Sequence, residues 1–240
     1  MAFLRTSLGR LREPHTLPLV PEEELGEARW LPALAVVTAA LLYATLPGKY
    51  VAGPTLLVNS LRWFVVGVTV ALIVPLALTA PTRRLVHSVP RRTAAIGLIA
   101  VISAANGASI VVLVHLLVTG HKVNGHELVI AAIHIWCTNV IAFALWFWQL
   151  DSGGPVARRR KTGVPPDFLF PQMAAPEFAP PNWQPKFLDY LYLSFTNATA
   201  FSPTDTMPFT RWAKMLMLAE SGASLLLLVM VAARAVNILH

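Results

Sequence analysis

The hydrophobic positions of this chain come in long, uninterrupted blocks and not in an alternating pattern. A block of about 20 apolar residues spans the roughly 30 Å hydrocarbon core of a bilayer as an α-helix. The blocks therefore predict an all-α membrane protein with five transmembrane helices, at residues 30–46, 56–80, 93–118, 128–150 and 212–239. A sixth apolar block, 187–200, is too short to cross and suits a re-entrant half-helix.

Composition supports this interpretation and narrows the chemistry. Hydrophobic residues make up 55% of the chain and the mean hydropathy is +0.59, so we expect one membrane domain and no sizeable soluble domain. Residues 1–29 mix arginines with glutamates and lack the apolar core of a signal peptide, which predicts a cytoplasmic N-terminal segment. The one cysteine, Cys137, lies inside an apolar block, which argues against a disulfide scaffold. We expect no metal and no cofactor.

The basic residues predict an orientation in the membrane. If the five helices alternate in direction, fifteen of the nineteen Lys and Arg fall on the side that holds residues 1–29, 81–92, 151–186 and 211–214. This asymmetry predicts a cytoplasmic N-terminus and an external C-terminus. Because these residues bunch at the ends of apolar blocks, the net charge of +7 does not indicate nucleic-acid binding.

The segment 151–185 carries eight prolines, which exclude long helices and favour extended backbone. A flexible tether is normally poor in aromatic residues, yet this segment contains Phe168, Phe170, Met173, Phe178 and Trp183. We expect an extended arm that lays these side chains on the membrane interface or on a neighbouring subunit. The alternative is a disordered tether.

The short block at 187–200 has the features of a helix that enters the membrane. Pro185 can start the helix, and Asp189 in its first turn complements the helix dipole. The helix would then point its partially negative C-terminus at the membrane interior, which favours cations. An amphipathic helix lying on the membrane surface is the alternative.

Residues 189–222, read as DYLYLSFTNATAFSPTDTMPFTRWAKMLMLAESG, resemble the pore loop of potassium channels, SFTTLTTVGYGDITP followed by Arg, Glu and Gly. The SFT lead and five later positions match: Asp205, Pro208, Arg211, Glu220 and Gly222. The resemblance covers 128–239, under half of the chain. It implies three accessory helices within 30–122 and a pore module at 123–240. In that module it implies an outer helix at 128–150, a linker at 151–185, a pore helix and filter-like loop at 186–208, and an inner helix at 211–239. It also implies a homotetramer.

The filter itself departs from the family. Its TVGYG is replaced by Ala200, Phe201, Ser202, Pro203 and Thr204. Glycines permit the alternating backbone that aligns carbonyl rings, and proline fixes φ, so a potassium-type filter is excluded. Side-chain oxygens of Thr199, Ser202, Thr204 and Asp205 would line a wider, less selective path for inorganic cations. Asp205 has an alternative role as the cap of a Ser-Pro-Thr-Asp turn.

Glu220 lies inside the last apolar block, where an ionisable residue indicates a functional site facing protein or water. The alternative is a buried glutamate that is hydrogen-bonded to the pore-helix backbone or paired with Arg211, Lys214 or a neighbouring subunit. Gly222 allows close helix packing or a hinge. Polar residues of the third and fourth helices, including Ser103, Asn106, Ser109 and Asn139, suit hydrogen bonds between helices.

Other chemistry is not indicated. Four histidines, at 115, 121, 126 and 134, have no metal-ligand spacing, and we interpret them as exposed or hydrogen-bonded. The sequence contains no nucleophile–base pattern and no phosphate-binding loop, so we do not expect an enzyme. The stretch AFSPTDTMP at 200–208 and the final RAVNIL at 234–239 also resemble membrane proteins of actinobacteria, which implies a bacterial inner membrane and no particular activity.

Three functions are compatible with these patterns. The first is an ion channel, weakly selective for cations. The second is a non-conducting pore-loop scaffold that acts as a sensor or complex subunit, and the third is a small transporter. The charge distribution puts the loop on the cytoplasmic side, as in ionotropic glutamate receptors and opposite to potassium channels.

Overall fold

The computed structural model describes residues 30–51, 63, 64, 66, 67, 69, 71, 89–119, 124–159, 163–199 and 205–238. The second predicted transmembrane helix, 56–80, lies mostly outside these residues, and its six described positions are helical. The predicted N-terminal segment 1–29 lies outside them entirely.

The described residues form an all-α structure. The helices are α1 (Trp30–Thr45), α2 (Val89–Val118), α3 (Gly125–Leu150), α4 (Pro155–Arg159), α5 (Pro171–Ala174), α6 (Phe187–Thr199) and α7 (Arg211–Ile238). Three short 3-10 turns join them, at Gly48–Tyr50, Asp151–Gly153 and Pro176–Phe178. The strands β1 (Phe168–Leu169) and β2 (Met207–Pro208) pair antiparallel, with Phe168 opposite Pro208.

Three helical stretches are long and apolar enough to cross a membrane: Arg92–Val118, Gly125–Gly153 and Arg211–Arg234. They identify the chain as a multi-pass membrane protein by length and composition. The apolar helix α1, with 16 residues, is shorter than a typical span. A count of five spans therefore stays a prediction.

The ends of α3 follow from local residue chemistry. At its start, the Asn124 side chain accepts a hydrogen bond from the His126 backbone N–H at 3.0 Å, which satisfies one of the unpaired donors of the first turn. At its end, Gly153 and Gly154 have φ of 77° and 99°, a conformation that favours glycine. A Cβ on Gly154 would lie 2.9 Å from the Gln149 carbonyl oxygen, so the chain can turn there only without a side chain.

Helix α3 is the centre of the bundle and contacts α1, α2, α6 and α7. The end of α3 packs against the start of α1 and α2, where Leu145 lies in one cluster with Val36 and Leu98. The start of α3 packs against the ends of α1, α2 and α7. Helices α1, α2 and α7 therefore run parallel to one another and antiparallel to α3. We call the end where α3 stops and α7 begins the linker end.

At the opposite end, Lys49 forms an ion pair with Glu127. The hydrogen bond that the Lys49 ammonium group donates to the Glu127 carboxylate raises the pKa of Lys49 above its usual value. The neighbouring Tyr50 side chain is fully buried, and burial raises the pKa of its hydroxyl.

The linker 151–185 differs from the prediction of an extended arm. Phe168 and Phe170 are buried within the same chain, in a cluster with Phe147, Tyr190, Leu193 and Ala213. The prediction that they cover the membrane interface or a neighbouring subunit is therefore wrong, because α3, α6 and α7 leave an aromatic-lined groove for them. Short helices also interrupt the extended backbone, and Pro155, Pro171 and Pro176 occupy their first positions, where no amide donor is needed. Phe178 is 86% exposed and remains free for the predicted role.

Candidate functional site at the contact of α6 with α3 and α7

Helix α6 begins where the sequence predicts it. The Asp189 carboxylate accepts a hydrogen bond from the Lys186 backbone N–H at 2.7 Å, which caps the first turn. One face of the helix, with Tyr190, Leu193 and Ser194, is buried, while the other face is exposed. The exposed side chains are Leu188, Tyr192 and Phe195, at helical spacing.

The far end of α6 lies deep in the bundle. The Ser194 hydroxyl lies 2.7 Å from the carbonyl oxygen of Val140, which is near the middle of α3. After α6 the chain returns to the linker end, since β2 pairs with β1, and Phe168 of β1 contacts Phe147 near the end of α3 with ring centroids 5.1 Å apart. The chain thus enters and leaves the bundle at the same end.

Glu220 of α7 is fully buried against α6. Its carboxylate accepts hydrogen bonds from the Ser194 hydroxyl and, at 2.7 Å, from the Asn197 side-chain amide. From the sequence, the alternative partners of this carboxylate were the pore-helix backbone or a basic residue. In the structure its partners are instead two side chains of α6. Because a buried group cannot replace lost hydrogen bonds with water, these two bonds fix α6 to α7.

Further hydrogen bonds extend this polar contact, which we call the Glu220 cluster: Asn139, Ser194, Asn197, Glu220, Ser221 and Ser224. The Ser221 hydroxyl lies 3.0 Å from the Asn197 side-chain oxygen and 3.1 Å from the Asn197 carbonyl oxygen. The Asn139 amide of α3 donates to the Ser224 hydroxyl at 3.2 Å. The cluster therefore ties three helices together in the interior.

Polar side chains of α2 and α3 form some of the interhelical hydrogen bonds that the sequence predicts. The Trp146 indole N–H donates to the Ser103 hydroxyl at 2.9 Å, and the Asn106 and Asn139 side chains lie 3.5 Å apart. These hydrogen bonds confirm the predicted role of Ser103, Asn106 and Asn139. Ser109 instead donates to the Ala105 carbonyl of its own helix.

The predicted filter-like loop is described only at its two edges. Thr199 ends α6, and its hydroxyl donates to the Thr196 carbonyl at 3.0 Å. Asp205 is exposed and accepts a hydrogen bond from the Thr206 hydroxyl at 3.3 Å. The predicted residues Ala200, Phe201, Ser202, Pro203 and Thr204 lie outside the described residues.

Gly222 lies on the exposed side of α7, where a Cβ would meet no atom within 4 Å. The structure therefore brings Glu220 to α6 and leaves Gly222 facing outward. Of the predicted histidines, His121 lies outside the described residues, and the His134 ring nitrogen Nδ1 lies 2.7 Å from the Ile130 carbonyl oxygen. No group of three or more His, Cys, Asp and Glu within the described ranges is arranged to hold a metal ion.

A second buried polar group at the linker end was not predicted. We call it the linker clasp: Asp151, Ser152, Asp167, Tyr190 and Trp212. The Asp151 carboxylate accepts from the Tyr190 hydroxyl, from the Ser152 hydroxyl at 3.1 Å and from the Asp167 backbone N–H at 2.8 Å. The Asp167 carboxylate accepts from the Ser152 backbone N–H and the Trp212 indole N–H, each at 2.9 Å.

The linker clasp joins the end of α3, the linker, α6 and the start of α7. Ser152 adopts a φ of 52°, which presents its backbone N–H to Asp167. The one sequence signal for the clasp is that Asp151 and Asp167 flank residues 152–166, which carry four basic residues and no acidic one. Its partners are too distant in sequence to be inferred from spacing.

No protein-family model matches this chain. No curated protein and no solved structure matches it either. The resemblance of residues 189–222 to potassium channels therefore stays a prediction.

Proposed function

We propose that this chain is a pore-loop membrane protein that assembles as a homotetramer and conducts cations with weak selectivity. The observation that supports this most is the path of α6, which runs from the linker end to the middle of α3 and is followed by a return to the same end. A helix of 13 residues is about 20 Å long at a rise of 1.5 Å per residue, too short to cross the bilayer core. A re-entrant pore helix has this form.

The chemistry at the end of α6 suits cations. The last carbonyl groups of a helix carry partial negative charge, and here they end in the bundle interior beside polar side chains. Asp205, which follows the loop, is exposed and would form a ring of carboxylates around a four-fold axis. Because the glycines of a potassium-type filter are replaced by Ser202 and Thr204, we propose a wider path that discriminates weakly between cations.

The tetramer is proposed from the exposed faces of α6 and α7. Only 22% of the most apolar part of α7 is buried within the chain, against 56% for α3. A single pore loop closes a path only when symmetry copies surround the axis. The exposed Phe195 and the small Gly222 would then contact neighbouring protomers, with lipid covering the remaining apolar surface.

The proposed orientation follows the charge distribution. The parallel course of α1, α2 and α7, opposite to α3, agrees with the alternation used to count basic residues. On this proposal the linker end faces the cytoplasm, with the N-terminus, in a bacterial inner membrane. The loop then enters from the side opposite to that of potassium channels.

Ion flux through reconstituted protein tests the proposal. Liposomes with the wild-type tetramer should pass several monovalent cations at comparable rates, and Asp205→Asn should lower that flux by weakening cation attraction. Glu177→Asn, at an exposed linker carboxylate, is the matched control and should leave flux unchanged. Absence of flux from correctly assembled wild type would contradict the channel.

A non-conducting scaffold is the second candidate. It is favoured by the Glu220 cluster, because the polar side chains there form hydrogen bonds with one another and do not line an open path. A tetramer without flux, in which the linker clasp or the Glu220 cluster responds to a partner protein, would support this alternative.

A further inference from the structure

The Ser194 hydroxyl contacts two acceptor oxygens but has only one proton to donate. Its oxygen lies 2.7 Å from the Val140 carbonyl oxygen of α3, a distance typical of an O–H···O hydrogen bond. The same hydroxyl oxygen contacts the Oε1 atom of Glu220 in α7. A carbonyl oxygen and an ionised carboxylate oxygen only accept hydrogen bonds, so these two contacts need two protons.

The other oxygen of Glu220 already has a donor. Its Oε2 atom accepts from the side-chain amide of Asn197 at 2.7 Å. The same amide nitrogen lies 3.0 Å from the Met217 carbonyl oxygen, and the amide oxygen accepts from the Ser221 hydroxyl at 3.0 Å. These partners fix the orientation of the amide, since the reverse orientation would place its oxygen against two acceptors. The missing proton therefore belongs between Oε1 and Ser194.

A proton on Oε1 of Glu220 completes the hydrogen bonds of the cluster. The neutral carboxylic acid then donates to Ser194, and the Ser194 hydroxyl donates to Val140. With an ionised Glu220, one of the two Ser194 contacts would instead bring two acceptors together in a buried position, which is costly. The hydrogen-bond geometry thus favours the neutral acid.

The groups in contact with Glu220 carry no compensating positive charge within the described part of the chain. Ser194 and Asn197 of α6 contact its carboxyl group, and Asn139 of α3 approaches its backbone carbonyl. Lys214, which lies on the same helix, is exposed. Glu220 is the tenth residue of α7, about 14 Å from the helix start and near the middle of a bilayer core of about 30 Å. A carboxyl group at such a depth is stabilised by becoming neutral.

Other titratable groups on the neighbouring helices do not face this carboxyl group. On α3, the His134 ring bonds to a carbonyl oxygen of its own helix, and Cys137 lies about 200° around the helix from Asn139. On α6, Asp189 caps the first turn at the linker end. Helix α2 reaches the cluster through the uncharged Asn106.

We propose that the Glu220 cluster is a proton-binding site: Glu220 is a neutral carboxylic acid in the folded protein, and release of its proton to water loosens α6 from α3. After release, Oε1 is an acceptor and takes over the hydrogen bond from Ser194. The bond from Ser194 to Val140 is then lost, so a change of pH reaches the end of α6. This site does not depend on the proposed conduction of ions.

Infrared spectroscopy of the full-length protein in detergent at about pH 7 tests for the proton directly, because free glutamate is ionised above about pH 4.3. A protonated carboxylic acid has a carbonyl stretching band that a carboxylate lacks. We expect this band in wild type and its loss in Glu220→Gln. Glu177→Gln, at an exposed carboxylate, is the matched control and should keep the band.

Isotope labelling keeps the test valid if Glu220→Gln does not fold. Labelling the glutamate side chains of wild type with carbon-13 should shift the band, whereas a band from a buried aspartate would stay in place. Absence of the band from wild type, its persistence in Glu220→Gln or its failure to shift on labelling would overturn the proposal.

The pH dependence of unfolding tests the effect of the proton on stability. On this proposal the folded protein binds one more proton than the unfolded chain, so its stability falls as the pH rises. Relative to Glu220→Gln, the folding equilibrium constant of wild type should fall about tenfold for each pH unit above about pH 4.3, until the folded site itself loses its proton. The same pH dependence in both proteins would contradict the site.

Discussion

At the scale of single residues, Glu220 is the clearest case of a polar group that must be explained. It lies in an apolar helix that the sequence assigns to the membrane, and its carboxylate is fully buried. Ser194 and Asn197 supply its hydrogen bonds. The residue therefore holds α6 in place whether or not the protein conducts ions.

We predict that Glu220→Ala destabilises the fold by about 1–3 kcal/mol, because one N–H of the Asn197 amide loses its acceptor, while Ser194 can still donate to the Val140 carbonyl. Glu220→Gln should cost about 1 kcal/mol or less. Its amide oxygen still accepts from Asn197, and its amide N–H can donate to Ser194, whose single hydroxyl proton then serves Val140. Unfolding in detergent, followed by tryptophan fluorescence, measures both changes.

The exposed Glu177 provides the control, since Glu177→Ala removes the same carboxylate where water can replace it. Its stability should stay close to that of wild type. A Glu220→Ala protein as stable as Glu177→Ala would contradict the cluster.

At the scale of elements, the linker clasp determines where α6 begins. Asp151 at the end of α3 and Tyr190 in α6 are 39 positions apart and are joined by a buried hydrogen bond. Trp212 at the start of α7 bonds to Asp167 of the linker. The linker is therefore held against α6 and α7 as part of the fold and is not a flexible tether.

We predict that Tyr190→Phe destabilises this part of the structure by about 1–3 kcal/mol, because the buried Asp151 carboxylate loses a donor. Tyr192→Phe makes the same change on the exposed face of α6 and should have little effect. Limited proteolysis of the linker, together with thermal unfolding, compares the two variants. Equal protection of the linker in both would show that the clasp does not hold it.

The five longer helices could be predicted from the sequence, because a hydrophobic block and a transmembrane helix follow from the same property. The predicted 93–118 and 212–239 correspond to Val89–Val118 and Arg211–Ile238, and 187–200 to Phe187–Thr199. The burial of Phe168 and Phe170 could not be predicted, since a proline-rich segment shows no period that assigns a buried face. The partners of Glu220 and the linker clasp depend on how α6 packs, which spacing along the chain does not encode.

At the scale of the whole molecule, the exposed faces of α6 and α7 are apolar and must contact either lipid or another protein chain. Gly222 has open space around it within one chain, so a larger side chain there is tolerated by the fold. In the proposed tetramer the same position allows close approach of neighbouring helices.

We predict that Gly222→Ile leaves the secondary structure intact and reduces the tetramer fraction, because its side chain separates the packed helices. Gly97→Ile, at an exposed glycine of α2 that also has open space, should leave assembly unchanged. Native mass spectrometry from detergent measures the oligomer directly. A monomeric wild type, or an unaffected Gly222→Ile tetramer, would contradict the proposed interface.

In the proposed re-entrant arrangement, the chain enters and leaves the membrane on one side around α6. The exposed Lys186 and Arg211 lie before α6 and at the start of α7, and the exposed Lys49 lies at the opposite end of the bundle. Each is replaced singly by cysteine in a Cys137→Ala background. Labelling of sealed, oriented vesicles with a membrane-impermeant maleimide measures which side each cysteine faces. We predict that Lys186→Cys and Arg211→Cys react from the same side and Lys49→Cys from the other, whereas reaction of the two flanking cysteines from opposite sides would contradict a re-entrant α6.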